Sequence, residues 1–213
     1  MSAVDLKRAV FLDRDGVINV DHGYVSSWDQ FEFLPGVPAA LWQLQSAGYV
    51  LVVVSNQSGI GRGLYSEADL AELNRRVYLY LLDEYGVEIA QFYHCPHHPT
   101  EALLKWRQPC HCRKPAPGRI EQACAELHID PSNSLMVGDK VSDMEAGQAA
   151  GVGRLFRVAL AATTQPLSGN GDGKEGVVLV EGLPDVARIV SESQAPGWSV
   201  ATGKSCGLFH AAG

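Results

Sequence analysis

An open α/β sheet flanked by helices is the fold this sequence predicts, and three observations carry the prediction. Apolar runs at residues 10–12, 49–54 and 135–137 are short and unbroken, as in strands buried on both faces. Segments with apolar residues at helical spacing lie between them. Each run ends abruptly in polar residues: Asp13 and Asp15, Ser55 and Asn56, Asp139 and Lys140. Strand–helix alternation favours a parallel sheet with right-handed crossovers, and ligands of such sheets gather outside the carboxyl ends of the strands.

The elements follow in order. The first strand leads into Asp13-Arg14-Asp15, and Gly16 lets the backbone turn sharply. Residues 21–24 and 28–31 form a polar, aromatic loop that Pro35-Gly36 punctuates. A helix is expected over 37–47, with Gly48 as its stop. The strongest strand signal, 49–54, runs into Ser55-Asn56-Gln57-Ser58 and glycines at 59, 61 and 63. Ser66-Glu67-Ala68-Asp69 reads as a capping box opening a long helix to Tyr85, with Gly86 closing it. A strand over 89–94 precedes a loop over 95–113 that is rich in His, Pro and Cys, long for a loop without function. Then come a helix (117–127), a strand (134–137), a helix (141–150) and a strand (153–158). Residues 163–176 read as a Gly/Ser/Pro-rich linker before a last strand (177–180) and helix (183–190). The organisation predicted is one Rossmann-like domain over 1–193 and a tail over 194–213 whose lack of periodicity suits disorder.

Composition narrows the function. Apolar residues make up 46% and charged residues 19%, enough for a sizeable core. A net charge of −7 argues against nucleic acid or an acidic membrane as partner, and no apolar stretch approaches the length of a bilayer span. Asp5, Lys7 and Arg8 leave no room for a secretory signal before the first strand, so a cytoplasmic monomer acting on a small molecule is expected. In that compartment the cysteines at 95, 110, 112, 124 and 206 read as thiols or metal ligands rather than disulfides.

Asp13 and Asp15 are two like charges at a strand end, where core packing cannot explain them. At ~4 Å and an effective dielectric near 20, such a pair costs about 4 kcal/mol, which a bound cation would reverse. The polar strand ends together suit phosphoryl transfer. Asp13 can serve as a covalent nucleophile, and Mg²⁺ between Asp13 and Asp139 would offset its repulsion of the phosphate. Ser55 and Lys114 can hold the phosphoryl oxygens, while Asp15 protonates the leaving oxygen and later activates water. Singly, each motif is ordinary turn or surface chemistry. The four in this order, each after a buried-strand pattern or before a helix, are not.

A second cluster lies in the long loop. Cys95-Pro96-His97 is followed, after twelve intervening residues, by Cys110-His111-Cys112, and three thiolates with one imidazole would close a tetrahedral, structural Zn²⁺ site. By proximity alone His94, His97, His98 and His111 all compete for the fourth position. Cys124 falls in a helical pattern and reads as core; Cys206 has no assignment.

The set Asp13-Arg14-Asp15-Gly16, Ser55-Asn56-Gln57, Arg113-Lys114-Pro115 and Gly138-Asp139-Lys140-Val141-Ser142-Asp143 resembles the four ordered motifs of the haloacid dehalogenase superfamily of phosphatases. The resemblance implies Asp13 as nucleophile and Asp15 as general acid/base. It also implies Mg²⁺ on Asp13, Asp139 and the backbone carbonyl of Asp15, with phosphate held by Ser55 and Lys114. The zinc loop, with Asp21-His22-Gly23-Tyr24 and Ser55 to Ser58, resembles the subgroup of heptose bisphosphate and histidinol-phosphate phosphatases. That likeness implies His97 as the zinc histidine and no large cap domain. It implies substrate contacts from Asp21, His22, Gly23, Tyr24, Ser55, Asn56, Gln57, Ser58, Arg113, Lys114 and Lys140. The activity implied is removal of the 7-phosphate of D-glycero-D-manno-heptose 1,7-bisphosphate, a step towards nucleotide-activated heptose for lipopolysaccharide cores. Histidinol-phosphate hydrolysis is the alternative, and a non-catalytic zinc-stabilised binding module a more distant one. Ser55 stands where the superfamily often has Thr, with the hydroxyl retained.

Overall fold

The computed structural model describes residues 6–159 and 176–194. Its strands in chain order are β1 (Ala9–Leu12), β2 (Val50–Asn56), β3 (Ile89–Cys95), β4 (Leu135–Gly138), β5 (Arg154–Val158) and β6 (Val177–Val180). They form one sheet in the order β3-β2-β1-β4-β5-β6, and every pairing is parallel. The order reverses between β1 and β4, so the crevice at their carboxyl ends is the place where such a sheet admits a ligand.

Side chains alternate between the two faces of each strand, and each face has its own core. Val10, Leu12, Leu51 and Val53 lie in one cluster, with Leu41 and Leu44 of α1 (Val37–Ser46), Leu73, Val77 and Leu81 of α3 (Glu67–Tyr85), and Val186 and Val190 of α6 (Leu183–Gln194). Ala9, Phe11, Val52 and Val54 lie in the other, with Ile120 and Ala123 of α4 (Gly118–Leu127) and Met144 and Ala146 of α5 (Val141–Ala149). Phe11 is fully buried, worth about 2–3 kcal/mol at one position. Cys124 packs half-buried against the second cluster.

Local signals and observed bounds agree closely. Ser66 and Asp69 exchange side-chain and backbone hydrogen bonds at the start of α3, and Gly86 ends it at φ 63°. The strand expected over 89–94 extends to Cys95, and the last helix reaches Gln194. A short helix not foreseen, α2 (Ser58–Arg62), fills the stretch punctuated by glycines. Those glycines are there for close packing: a Cβ on Gly61 would stand 2.3 Å from the Pro96 carbonyl. Among the described residues no cap domain interrupts the sheet; the 13–36 connection holds only a short 3-10 turn at Trp28–Gln30. The expected linker, except Gly176, and the tail beyond Gln194, with Cys206, lie outside the described residues.

Candidate active site

Lys114 is the hub of the strand-end site. Its Nζ donates to the carbonyl of Val54 (2.7 Å) and contacts Asp13 Oδ1 (2.9 Å) and Asp143 Oδ1 (2.7 Å). The three ammonium hydrogens are thereby engaged. The ion group is buried, with Asp13 6% and Lys114 4% exposed. Burial opposes the charge on Lys114, yet the two carboxylates outweigh it and raise its pKa. Burial pushes Asp13 upward despite Lys114, and Asp143 adds to the shift. Asn56 fixes this hub to β2: its amide accepts from the Lys114 N–H (3.1 Å) and donates to the Lys114 carbonyl (3.0 Å).

Asp139 supplies the other side of a cation site. Carboxylate oxygens of Asp13, Asp139 and Asp143 lie within 4.8 Å of one another. Oδ1 of Asp139 is buried with no hydrogen-bond partner, and burial together with Asp13 raises its pKa to about 6. An orphaned anionic oxygen beside a second carboxylate fits a hard divalent cation. Asp143 is less available, because its other oxygen accepts from the Lys140 N–H (2.9 Å). Gly16 leaves room for this arrangement, since a Cβ there would stand 2.8 Å from Asp139 Oδ2.

Asp15 faces the same crevice and is held from three directions. Arg14 reaches both of its oxygens (3.0 and 3.1 Å), Asn19 donates to Oδ1 (3.0 Å) and Gln57 to Oδ2 (3.1 Å). Arg14 is itself anchored on the Val25 carbonyl (2.6 Å). Gln57 also donates to Ser55 Oγ (3.2 Å), which leaves the Ser55 proton free for another acceptor.

A cleft of about 620 Å³ opens over these groups. Asp13, Asp15, Asp21, Gly23, Tyr24, Asn56, Gln57, Ser58, Arg113, Lys114 and Lys140 all line it. Ser55 is 5% exposed and sits beneath the lining. His22 is the exception. Asp21 accepts from the Gly23 N–H (3.0 Å), and positive φ at Gly23 and Tyr24 turns the loop. The His22 side chain faces Glu32 (3.4 Å) and lines a separate depression. Lys140 Nζ lies 3.7 Å from Asp21 and 3.5 Å from Asp139. A similar cleft of about 640 Å³ lies at the opposite ends of the strands, around Tyr49 and Ser134, where none of the four motifs reaches.

Four residues in or beside the site had no role assigned from the sequence: Arg14 and Asp143, which stand inside two of the motifs, and Asn19 and Tyr65. Asp143 carried a signal, being three residues after Lys140 at the opening of a helix. Nothing local marks Tyr65.

The loop cluster closes separately. Sulfur–sulfur distances among Cys95, Cys110 and Cys112 are 3.1, 3.3 and 3.5 Å, and His97 Nδ1 lies 3.3 Å from Cys112 and 3.7 Å from Cys95. Thiolates bound tetrahedrally to zinc stand about 3.8 Å apart, so small outward shifts admit the ion. The competing histidines are occupied elsewhere: His94 faces Glu67, His98 accepts from the Glu101 N–H, and His111 pairs with Glu121. Burial and the neighbouring Cys112 sulfur push the Cys95 thiol up, a cost that a metal would reverse. The loop touches the strand-end cleft through Arg113, whose Nη1 donates to the His97 carbonyl (3.1 Å).

Comparison with known proteins decides the family. D-glycero-beta-D-manno-heptose-1,7-bisphosphate 7-phosphatase of Pasteurella multocida (strain Pm70) is 45% identical over 185 residues, 87% of this chain and 97% of its own length. The chain belongs to this phosphatase family. The enzyme of the same name from Escherichia coli (strain K12) is 44% identical over 188 residues, 88% of this chain and 96% of that protein. A family model described as HAD-hydrolase-like matches residues 111–158, which hold Arg113, Lys114, Asp139 and Asp143. Among solved structures, D,D-heptose 1,7-bisphosphate phosphatase from B. bronchiseptica, complexed with magnesium and phosphate, has a TM-score of 0.72 at 30% identity. That match covers 87% of this chain and 99% of the other. Phosphatases of the haloacid dehalogenase superfamily are Mg²⁺-dependent phosphoric monoester hydrolases, and this chain is one of them. No described helix is long and apolar enough to cross a membrane.

Proposed function

We propose that the chain hydrolyses the 7-phosphate of D-glycero-D-manno-heptose 1,7-bisphosphate, leaving heptose 1-phosphate, with Asp13 as nucleophile. The observation that carries the reading is the buried contact of Lys114 with Asp13, beside Asp15 in one cleft. Asp13 attacks phosphorus and becomes an aspartyl phosphate, losing its negative charge. A phosphoryl oxygen then takes over the hydrogen from Lys114 Nζ that Asp13 accepts in the free protein. Ser55 donates to a second phosphoryl oxygen. Asp15, oriented by Arg14, Asn19 and Gln57, gives a proton to the departing sugar oxygen. It then takes one from the water that opens the acyl phosphate.

Asp13, Asp139 and the backbone carbonyl of Asp15 would hold Mg²⁺, which supplies charge neutralisation between the nucleophile and the phosphate. The second phosphate of the sugar suits Arg113, whose planar fork matches phosphate geometry, with Lys140 at the cleft margin. Zn²⁺ on Cys95, His97, Cys110 and Cys112 would be structural, since four protein ligands leave no open position. The test is phosphate release from heptose 1,7-bisphosphate and histidinol phosphate side by side. Preference for the heptose ester is expected; a clear preference for histidinol phosphate would overturn the substrate.

A further inference from the structure

We propose that the Tyr65 hydroxyl is a positioning group for the proton-transfer residue, acting through the Gln57 carboxamide; this rests on the role given to Asp15 above. Tyr65 donates from its hydroxyl to Gln57 Oε1 (2.5 Å), and Gln57 Nε2 donates onward to Asp15 Oδ2 (3.1 Å). A carboxamide has two faces of opposite polarity. With its oxygen held by the phenol, the nitrogen must point at Asp15. Turned the other way, the amide would set its oxygen against the Asp15 carboxylate, which when ionised can only accept; the Tyr65 hydroxyl, kept protonated by burial with a pKa of about 12, donates to the amide oxygen and holds it in the orientation the carboxylate needs.

Packing holds the phenol in place. The Tyr65 ring lies across α2 at Gly59, where an added Cβ would stand 2.1 Å from Cε1 and 2.7 Å from Cζ. The Tyr24 ring closes on the same glycine, at 3.0 Å from that position. Gln57 is 2% exposed, so no bulk water replaces the hydroxyl on its oxygen. The hydroxyl therefore reinforces the orientation of a buried amide that bridges it to Asp15, and the amide supplies the Asp15 contact that comes from the residue after β2 rather than from the β1 loop.

The readout uses leaving-group chemistry. An unactivated sugar alcohol needs a proton from Asp15 to depart, whereas p-nitrophenolate does not, and kcat/KM reports the step that expels the leaving group. Tyr65→Phe is expected to lower kcat/KM for heptose 1,7-bisphosphate about 3- to 10-fold, the worth of one buried hydrogen bond. For p-nitrophenyl phosphate the change is expected to stay below about twofold. In a Gln57→Ala background, removing the hydroxyl is expected to cost nothing further. Unchanged kcat/KM on the sugar ester, equal losses on both esters, or a full loss persisting in Gln57→Ala would each overturn the proposal. Fructose 1,6-bisphosphate serves as a second unactivated ester. An error in the substrate reading, visible as a wild type inert towards the heptose ester alone, is thereby separable from an error about Tyr65.

Discussion

The strand-end site and the cysteine loop are built on opposite plans. The first gathers Asp13, Ser55, Lys114, Asp139 and Asp143 from across the chain, and the parallel sheet holds them together. Apart from Asp139 Oδ1, its charged groups already find partners within the protein, since Lys114 spans two carboxylates and Asp15 accepts from Arg14, Asn19 and Gln57. The second draws its four groups from positions 95 to 112, and the sulfurs have mainly one another and His97 as neighbours. A site assembled by the sheet is organised before its metal arrives. A site assembled by a loop with little core of its own depends on the metal for order.

The largest expected effect sharpens the first half of that contrast. Asp13→Asn should reduce kcat by at least about 1000-fold while zinc content stays at the wild-type value. Rates and metal analysis on the same preparation check this, and parallel loss of zinc would show the two regions to be one unit. Next comes Asp143→Ala, which leaves Lys114 with one carboxylate in a buried place. It should cost about 3 kcal/mol in denaturant unfolding and also lower activity, because Lys114 loses an anchor.

Cys110→Ser addresses the loop. Zinc affinity should fall at least about 100-fold, and KM should rise about tenfold through the Arg113 contact with the His97 carbonyl, with kcat less affected. Chelation by EDTA should stop turnover, and Mg²⁺ alone should restore it if zinc has stayed in place; recovery that needs zinc as well would mean the loop is the more labile of the two. The smallest effect lies in neither region. Glu72 accepts from Arg75 and Arg76 on the exposed face of α3, and these bonds lower its pKa to about 2 from 4.5. A depressed carboxylate stabilises above its unfolded pKa and loses that contribution as pH falls through the folded one. The small stability difference between wild type and Glu72→Gln should therefore be present at pH 7 and vanish between pH 4.5 and pH 2 in thermal melts.

Much of this molecule is local in origin. Buried-strand runs, the Ser66–Asp69 capping box and the glycine stops at 48 and 86 are short-range signals, and the elements follow them to within a few residues. The four motifs and the paired cysteines were likewise visible as spacing and residue type. Three things depended on contacts between distant segments. α2 at Ser58–Arg62 is packed so closely by Tyr65, Tyr24 and the Pro96 carbonyl that Gly59 and Gly61 have no room for a Cβ, a fit between segments that no local propensity encodes. His22 turns from the cleft because Asp21 and Gly23 close a tight turn beside it. Lys114 chooses Asp13 and Asp143 as partners because β2 carries Asn56 and Val54 to the same point in space. Sequence determines which groups are chemically able, since identity and spacing are written there. Only the tertiary structure decides which of them meet, because buried charges must be paired and the sheet order determines with whom.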